Sequence, residues 1–341
     1  MSGHRSGLNR RLGIAFRVAC IAATVTALWW FLHGIDVKTL VETFHRAMLW
    51  PLVLAALLNI GSHCVRAEGW RVMLGPRHRI PFGRLLRYEL AAQAASAISP
   101  ARAGEVLRFW LLRQDAVPAA TTGALIILKK VLGAVGLAVL VTAAPWLLPA
   151  LPHWIRGFVA VFAALMVIEL VTLVFVAHRV APDKLPKFLR GLIGGMYFLR
   201  DSRRMFRALA VMLVGEAADA AAAGAVLYAL GIDLPIAAAV MVLFFIDFSN
   251  MMPIAPGHLG TFEAGALYSL NLLHVSPDAA FAFALLFHAQ QVLPQIVVGL
   301  PFELRLLTRR QRDSGAVLAE EDAALAEEGE HSGAGQHRSA D

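Results

Sequence analysis

Charged residues and cysteine are both scarce in this sequence of 341 residues. Charged side chains make up 16% of the chain, whereas about 25% is usual for a soluble globular protein. A soluble domain with so little polar surface could not cover itself with groups that water solvates, so we expect lipid to cover much of the chain. The two cysteines, Cys20 and Cys64, lie in apolar stretches and provide neither a disulfide framework nor a paired metal-site spacing.

Motifs of nucleotide-driven transport and of common hydrolases are also missing. The sequence contains no Walker A motif, no nucleophile elbow and no HExxH zinc motif. We therefore expect no catalytic residues, no metal and no cofactor, and a protein that is not an enzyme. The isoelectric point of about 9.9 does not indicate nucleic acid as a partner, because the basic residues stand in short clusters between apolar runs.

Long apolar stretches account for most of the chain. A helix needs about 20 apolar residues to cross a hydrocarbon core of about 30 Å. Stretches of this kind occupy residues 12–32, 47–64, 121–148, 155–177, 208–230 and 279–300. We predict an all-α polytopic membrane protein with about six full transmembrane helices.

Clusters of basic residues set the predicted orientation. Lys and Arg concentrate before residue 12, at 66–87, at 178–207 and after residue 304. The intervening loops without Lys or Arg are 148–154, 231–234 and 274–278. Because short cytoplasmic loops carry an excess of positive charge, we predict that the basic segments and both termini are cytoplasmic.

Two further apolar stretches, 85–114 and 235–273, are interrupted by breaks that contain proline and glycine. The predicted orientation requires each stretch to end on the face from which it starts. We favour two re-entrant helical hairpins, one entering from each face. Two complete crossings by short helices remain the alternative interpretation.

The two breaks share a spacing. Pro100 precedes Gly104 by four residues, and Pro256 precedes Gly260 by the same interval. Paired interrupted segments in the two halves of a transporter point to a binding site at the membrane midplane. The spacing therefore favours an inverted repeat with a site between the two breaks.

Several charged residues fall at membrane depth, where each costs at least about 2.5 kcal/mol. Lys129 and Lys130 lie in one predicted span, and Glu216 and Asp219 share a helical face in another. We expect these residues to line a polar cavity, with only one of the two lysines facing it. The alternative is structural, in which a lysine pairs with Glu216, Asp219 or Glu169 to hold helices together. Two polar stripes are expected to face the interior: Asn59, His63 and Arg66, and His288, Gln291 and Gln295.

Broken helices expose backbone groups that lipid cannot satisfy, so such breaks occur around a cavity or a ligand. A half-helix that begins near Gly104 or Thr261 would direct its positive dipole end at an anion. Arg102 and Arg108 would add charge-assisted hydrogen bonds. The acidic residue in the first turn of each half-helix either takes part in binding or only caps the helix.

Three motifs carry a resemblance to a known family: Ser99-Pro100-x-Arg102-x-Gly104-Glu105-x-x-Arg108, Lys129-Lys130, and Pro253-x-x-Pro256-Gly257-x-x-Gly260-x-x-Glu263. They resemble the flippase-like membrane domain of bacterial lysylphosphatidylglycerol synthases, which has stand-alone members, some associated with hopanoid lipids. The resemblance covers roughly residues 12–307 and implies movement of a phospholipid or other amphiphilic lipid between leaflets. By motif matching, the resemblance implies that the family's important positions correspond to Arg102, Gly104, Glu105, Arg108, Pro256, Gly257, Gly260 and Glu263.

The sequence also departs from the family pattern. His258 stands where a second glycine is common, and Lys129-Lys130 stand where a Glu-Arg pair is common. No soluble aminoacyl-transferase domain follows the last predicted span, so we expect that the chain does not transfer lysine itself. We divide the chain into a cytoplasmic N-terminus (1–11), a flippase-like membrane domain (12–307) and a disordered cytoplasmic tail (308–341).

The leading hypothesis is translocation or transport of an amphiphilic lipid across or within the bacterial inner membrane. The alternatives are a membrane-embedded lipid-modifying enzyme and a non-transporting partner of lipid-biosynthesis enzymes. The lipid, the direction of movement, the coupling ion and the oligomeric state are left open. The predicted substrate-binding and translocation residues are Arg102, Gly104, Glu105, Arg108, Lys129, Lys130, Glu216, Asp219, Pro256, Gly257, His258, Gly260 and Glu263.

Overall fold

A computed structural model describes residues 42, 47–98, 103–149, 151–180, 192–251, 258–299 and 301. Every regular element in this part of the chain is helical. With several helices that are long and apolar enough to cross a membrane, the chain is an all-α polytopic membrane protein. The predicted first span, 12–32, and the predicted tail, 308–341, lie outside the described residues.

The described part of the chain has nine main helices. In chain order they are α1 (Leu49–Leu74), α2 (Phe82–Ile98), α3 (Ala103–Gln114), α4 (Ala119–Leu147), α5 (His153–Arg179), α6 (Ser202–Ala229), α7 (Ile236–Asn250), α8 (Thr261–Leu272) and α9 (Pro277–Pro294). Short turns of 3-10 helix follow α1 at Gly75–Arg77 and precede α6 at Tyr197–Arg200. A π-helical turn, Gln295–Gly299, extends α9.

Five helical stretches in the described residues have the length and composition of membrane spans. They are Leu49–Arg77, Ala119–Leu147, His153–Arg179, Ser202–Ala229 and Pro277–Val297, and they overlap the last five of the six predicted spans. In the most apolar part of α4, 61% of the residues are buried inside the protein, against 11% in α5. Helix α4 is therefore central, whereas α5 lies at the periphery with most of its apolar surface available to lipid.

The two interrupted stretches form two pairs of shorter helices, α2 with α3 and α7 with α8. These helices have 17, 12, 15 and 12 residues. At 1.5 Å per residue the longest of them reaches about 26 Å, short of the roughly 30 Å of a bilayer core. Their lengths favour re-entrant hairpins over complete crossings, and this interpretation remains a prediction.

Glycine lets the helices of each pair approach closely. A Cβ atom on Gly104 of α3 would lie 1.9 Å from the carbonyl oxygen of Ala92 on α2. A Cβ atom on Gly265 of α8 would lie 2.6 Å from the carbonyl oxygen of Phe245 on α7. Gly260, which shares the Pro-x3-Gly spacing with Gly104, has open space around it and precedes α8 with φ +85°. The two glycines of that spacing therefore differ in role, one in packing and the other in backbone conformation.

Apolar clusters hold the helices around a polar interior. One cluster, which includes Trp70 and Leu128, joins the ends of α1, α2, α4 and α6. A second, around Phe244, packs α4 and α5 against α7. A third, around Phe283 and Phe287, joins α9 to α6, α7 and α8. Polar side chains lie inside the bundle between these apolar clusters, and they form the candidate site.

Candidate functional site

Two adjoining cavities lie in the interior between the two helical pairs. The first has a volume of about 190 Å³ and is lined by residues of α1, α2, α6, α7, α8 and α9. The second has a volume of about 240 Å³ and is lined mainly by residues of α1, α2, α3, α4, α6 and α7. Arg66, Gln93 and Asp247 line both cavities, so the two form one polar interior.

One wall of the second cavity is organised by Glu89 of α2, whose side chain is fully buried. Its carboxylate accepts hydrogen bonds from Lys129 Nζ at 2.7 Å and from Trp70 Nε1 at 3.0 Å. The Arg108 guanidinium lies 3.1 Å from the same carboxylate. A buried charge is tolerated only when it is paired and hydrogen-bonded, and Glu89 meets both conditions. Sequence reasoning missed Glu89, although a lone acidic residue within an apolar stretch was a usable signal.

Glu105 of α3 extends this wall. Its carboxylate accepts a hydrogen bond from Arg108 Nη1 at 2.9 Å, and Lys130 Nζ lies 3.1 Å away. Five side chains thus form a row of alternating charges with three cations and two carboxylates. In order they are Lys129, Glu89, Arg108, Glu105 and Lys130, and we call this row the cationic wall.

Both lysines line the second cavity, so the expectation that only one would face it was wrong. Lys129 and Lys130 leave α4 about 100° apart, but they pair with carboxylates on two different neighbouring helices. The flexible four-carbon stem of lysine allows both ammonium groups to turn toward the same space. The alternative in which a lysine pairs with Glu216, Asp219 or Glu169 is also not what the structure shows, and the Glu169 side chain is exposed on α5.

A second charged group is organised by Arg66 of α1, which lines both cavities. Its Nη2 atom donates a hydrogen bond to Asp219 Oδ2 and lies 3.4 Å from Glu216 Oε1. Glu216 and Asp219 are both buried on one face of α6, as the three-residue spacing predicted. Asp219 Oδ1 is buried and has no hydrogen-bond partner within the described part of the chain.

Asp247 of α7 adds a third carboxylate to this group. It lines both cavities and interacts electrostatically with Arg66, Glu216 and Asp219. Among the described residues, no hydrogen bond or ion pair involves its carboxylate. Three carboxylates therefore face one guanidinium, and we call this group the anionic wall. The interior thus contains two charged groups whose formal net charges are opposite.

The two polar stripes predicted on the second and last spans contact each other beside the first cavity. Asn59 Nδ2 of α1 donates a hydrogen bond to Gln291 Oε1 of α9 at 2.6 Å. His63 Nε2 lies 3.4 Å from Gln295 Nε2 one turn further along. These contacts join α1 to α9, which is the role of interhelical hydrogen bonds within a membrane.

Glu263 lies in the first turn of α8 and has two partners. Its Oε2 atom accepts a hydrogen bond from the backbone N–H of Gly260 at 2.7 Å, which caps α8. Its Oε1 atom lies 2.5 Å from His288 Nδ1 of α9. His258 precedes the cap with a positive φ of 60° and lines the first cavity. Glu263 is therefore a helix cap that also links α8 to α9.

The structure brings most of the predicted site residues to one interior. Glu105, Arg108, Lys129, Lys130 and Glu216 line the second cavity, and Asp219 and His258 line the first. Arg102, Pro256 and Gly257 lie outside the described residues. Among the residues that the structure describes, no group of three or more His, Cys, Asp or Glu side chains is arranged to hold a metal ion.

Comparison with known protein families identifies the chain. The family described as lysylphosphatidylglycerol synthase TM region matches residues 14–299. No protein of curated function matches the chain. Residues 14–299 contain all nine main helices of the described structure and both walls of the interior. The chain therefore belongs to the family of lysylphosphatidylglycerol synthase transmembrane regions.

Proposed function

We propose that the chain moves an amphiphilic lipid, of phospholipid or hopanoid type, across or within the bacterial inner membrane. The headgroup passes through the polar interior while the apolar tails stay in the surrounding hydrocarbon. The observation that carries this proposal is the pair of joined cavities between the two helical pairs, whose lining includes residues of both the cationic and the anionic wall. Membership of the family gives the chain a function connected with membrane lipids.

A headgroup leaving water loses its hydration, and fixed protein charges must replace it. Lys130 is the accessible cation of the cationic wall, because its side chain is 45% exposed whereas that of Lys129 is 11% exposed. An ammonium at this position can bind a phosphate or another anionic group. On the anionic wall, Asp247 offers a carboxylate to an amino group or to a proton.

The energy source follows from what the sequence lacks. Without a Walker A motif, transport is driven by an ion gradient or by the gradient of the lipid itself. The carboxylates of the anionic wall outnumber the cation that faces them, so this wall is the better place for a coupling proton or cation.

The proposed orientation places both termini in the cytoplasm. It rests on the Lys and Arg residues that cluster in alternate connecting segments of the sequence. Reporter fusions at the two ends test it, with a reporter active only in the cytoplasm expected to function at each. A signal from a periplasmic reporter at either end would contradict the orientation.

Lipid movement in proteoliposomes tests the function. Vesicles that contain the purified chain and a fluorescently labelled lipid are treated with a membrane-impermeant quencher, with empty vesicles as the control. We expect faster movement between leaflets for at least one phospholipid or hopanoid-type lipid, and slower movement for Lys130→Gln. Movement no faster than in empty vesicles across both lipid classes would overturn the proposal.

A membrane-embedded lipid-modifying enzyme is the second candidate. It is favoured by the contact between Glu263 and His288, a carboxylate and an imidazole that could transfer a proton beside the first cavity. Incubation of the purified chain with the membrane lipid extract, followed by mass spectrometry, tests this candidate. A new lipid product that disappears in His288→Phe would favour the enzyme over the transporter.

A further inference from the structure

A basic pocket lies where the C-terminal end of α1 meets the N-terminal end of α6. It has a volume of about 330 Å³ and shares no lining residue with the two interior cavities. Its lining residues are Glu68, Arg71, Val72, Gly75, Pro76, Arg204 and Arg207. The proposed transport pathway does not pass through this pocket, so any ligand of the pocket would be separate from the transported lipid.

The pocket has three arginines and two acidic partners, Glu68 in its lining and Asp201, which lies 3.1 Å from Arg204 Nε. Arg71 Nε lies 2.7 Å from Glu68 Oε2, and Arg207 Nη2 lies 3.1 Å from Glu68 Oε1. The two arginine side chains are 52% and 64% exposed. Each guanidinium has five N–H donors in a planar fork, so donors remain for an external anion after the bonds to Glu68 are made.

Backbone geometry brings a third arginine to the pocket. Gly75 has a φ of +60°, and a Cβ atom there would lie 2.9 Å from Arg204 Nη1. Tyr197 donates a hydrogen bond to the carbonyl oxygen of Leu74, and Arg77 lies over the Tyr197 ring at 4.2 Å. These contacts fix the end of α1 against the segment before α6, so the pocket is a formed feature.

An apolar groove continues from the basic pocket along the outer surface of α1 and α6. Its lining residues are Val65, Glu68, Arg207, Ala210, Val211 and Val214. Glu68 and Arg207 line both the pocket and the groove. From Arg207 to Val214 the groove follows α6 for about 10 Å at 1.5 Å per residue. Val214 is 55% exposed, so the groove is open to lipid.

We propose that the pocket and the groove together bind one phosphoglycerolipid with an anionic headgroup. The phosphate contacts the Arg71 and Arg207 guanidinium groups, and an acyl chain lies in the groove beside Val214. The planar fork of arginine matches the oxygens of a phosphate, and a run of small apolar side chains accepts a hydrocarbon chain. A free phosphate would use the pocket and leave the groove empty, so a bilayer lipid fits the combined feature better.

Charge also argues against the predicted first span, 12–32, as the occupant of the groove. The residues before that span include Arg5, Arg10 and Arg11. Docking the span with its basic end at the pocket would place like charges together, which costs free energy. An anionic lipid removes this conflict because it brings the opposite charge.

Lipid binding to the full chain in detergent tests the proposal by native mass spectrometry. The probes are phosphatidylglycerol, phosphatidylcholine and glycerol 3-phosphate. We expect phosphatidylglycerol to bind most tightly, and the double variant Arg71→Gln/Arg207→Gln to weaken its binding about tenfold or more. Glu68→Gln should tighten binding, because it removes the internal competitor for both arginines. The matched control is Arg79→Gln/Arg179→Gln, which removes two exposed charges outside the pocket and should bind as the wild type does.

A groove variant separates a lipid from a free anion. Ala210→Trp fills the groove from an exposed position on α6, so it should weaken binding of phosphatidylglycerol and leave that of glycerol 3-phosphate unchanged. Equal binding of phosphatidylcholine and phosphatidylglycerol would overturn the proposal, as would a double arginine variant that binds like its control. Binding of phosphatidylglycerol unchanged by Ala210→Trp would also overturn it, because the acyl chain would then lie outside the groove.

Discussion

The carboxylate of Glu89 on α2 lies 2.7 Å from the ammonium of Lys129 on α4, and it is also within 3.1 Å of the Arg108 guanidinium on α3. One fully buried carboxylate thus compensates two cations that come from different helices. Because fixed charges in a dry interior interact strongly, this contact ties the first helical pair to the central helix. The position of the cationic wall depends on it.

Replacement of Glu89 tests whether the cationic wall holds the fold together. Glu89→Gln keeps a side chain of similar shape but leaves Lys129 and Arg108 without their shared anion. Removing one partner of a buried ion pair typically costs about 3–5 kcal/mol, so we expect a marked drop in the thermal unfolding temperature of the detergent-solubilised protein. The drop is measured against the wild type in the same detergent.

Asp115→Asn is the matched control for Glu89→Gln. Just beyond the end of α3, Asp115 contacts Arg84 Nη1 at 2.5 Å, where the arginine side chain is 48% exposed, and it accepts a hydrogen bond from the Tyr88 hydroxyl at 2.9 Å. Asn keeps an oxygen that can accept the Tyr88 hydrogen bond, and an ion pair with a half-exposed arginine contributes at most about 1 kcal/mol, so this variant should unfold closer to the wild type than Glu89→Gln does. Equal unfolding temperatures for the Glu89 and Asp115 variants would mean that Glu89 does not join the helices.

Substitution of Gly104 tests the close packing of the first helical pair. Gly104→Ala would place a methyl group 1.9 Å from the Ala92 carbonyl oxygen, so α2 and α3 must move apart. Overpacking of this kind costs about 1–3 kcal/mol, and we expect both lower thermal stability and slower lipid movement. Gly123→Ala is the control, because a Cβ atom on Gly123 has no other atom within 4 Å. A Gly123 variant as unstable as the Gly104 variant would contradict this explanation.

The sequence predicted the helices better than it predicted their partners. Apolar length located the five described membrane spans, because crossing a bilayer imposes a minimum length on a helix. The distribution of charge then led to the prediction that the stretches 85–114 and 235–273 each end on the membrane face from which they start, unlike the full spans. Both inferences depend on position along the chain alone, which a single sequence displays directly.

Contacts between helices were not accessible in the same way. The depth of Lys129 in its span says nothing about which neighbouring helix it meets, so its pairing with Glu89 was not predicted. Arg66 illustrates the same limit, because it was assigned both to an interior stripe and to a basic loop segment. Helix α1 in fact continues to Leu74, which places Arg66 inside the bundle against the carboxylates of α6.

Glu263 tests whether the acidic residue of the second half-helix is a cap or a transport residue. Both of its carboxylate oxygens already have partners, Gly260 N–H and His288 Nδ1. In Glu263→Gln a side-chain oxygen can still accept the Gly260 hydrogen bond, so we expect lipid movement to stay within about twofold of the wild type. Glu263→Leu removes both the α8 cap and the contact with His288 Nδ1, so it should lose about 2 kcal/mol of stability or more. Loss of lipid movement in the Gln variant at unchanged thermal stability would show that the charge itself is needed.

Asp247 is the opposite case, because its carboxylate lines both cavities and has no hydrogen bond or ion pair among the described residues. Asp247→Asn removes a charge that no described side chain bonds to, so the unfolding temperature should not fall. Lipid movement in proteoliposomes should slow by about tenfold or more, equivalent to roughly 1.4 kcal/mol of barrier, because the headgroup or coupling proton loses its accessible carboxylate. Asp233→Asn serves as the control, since it neutralises an exposed acid just before α7. Transport at the wild-type rate in Asp247→Asn would remove Asp247 from the pathway, whereas a loss of thermal stability would assign it a structural role.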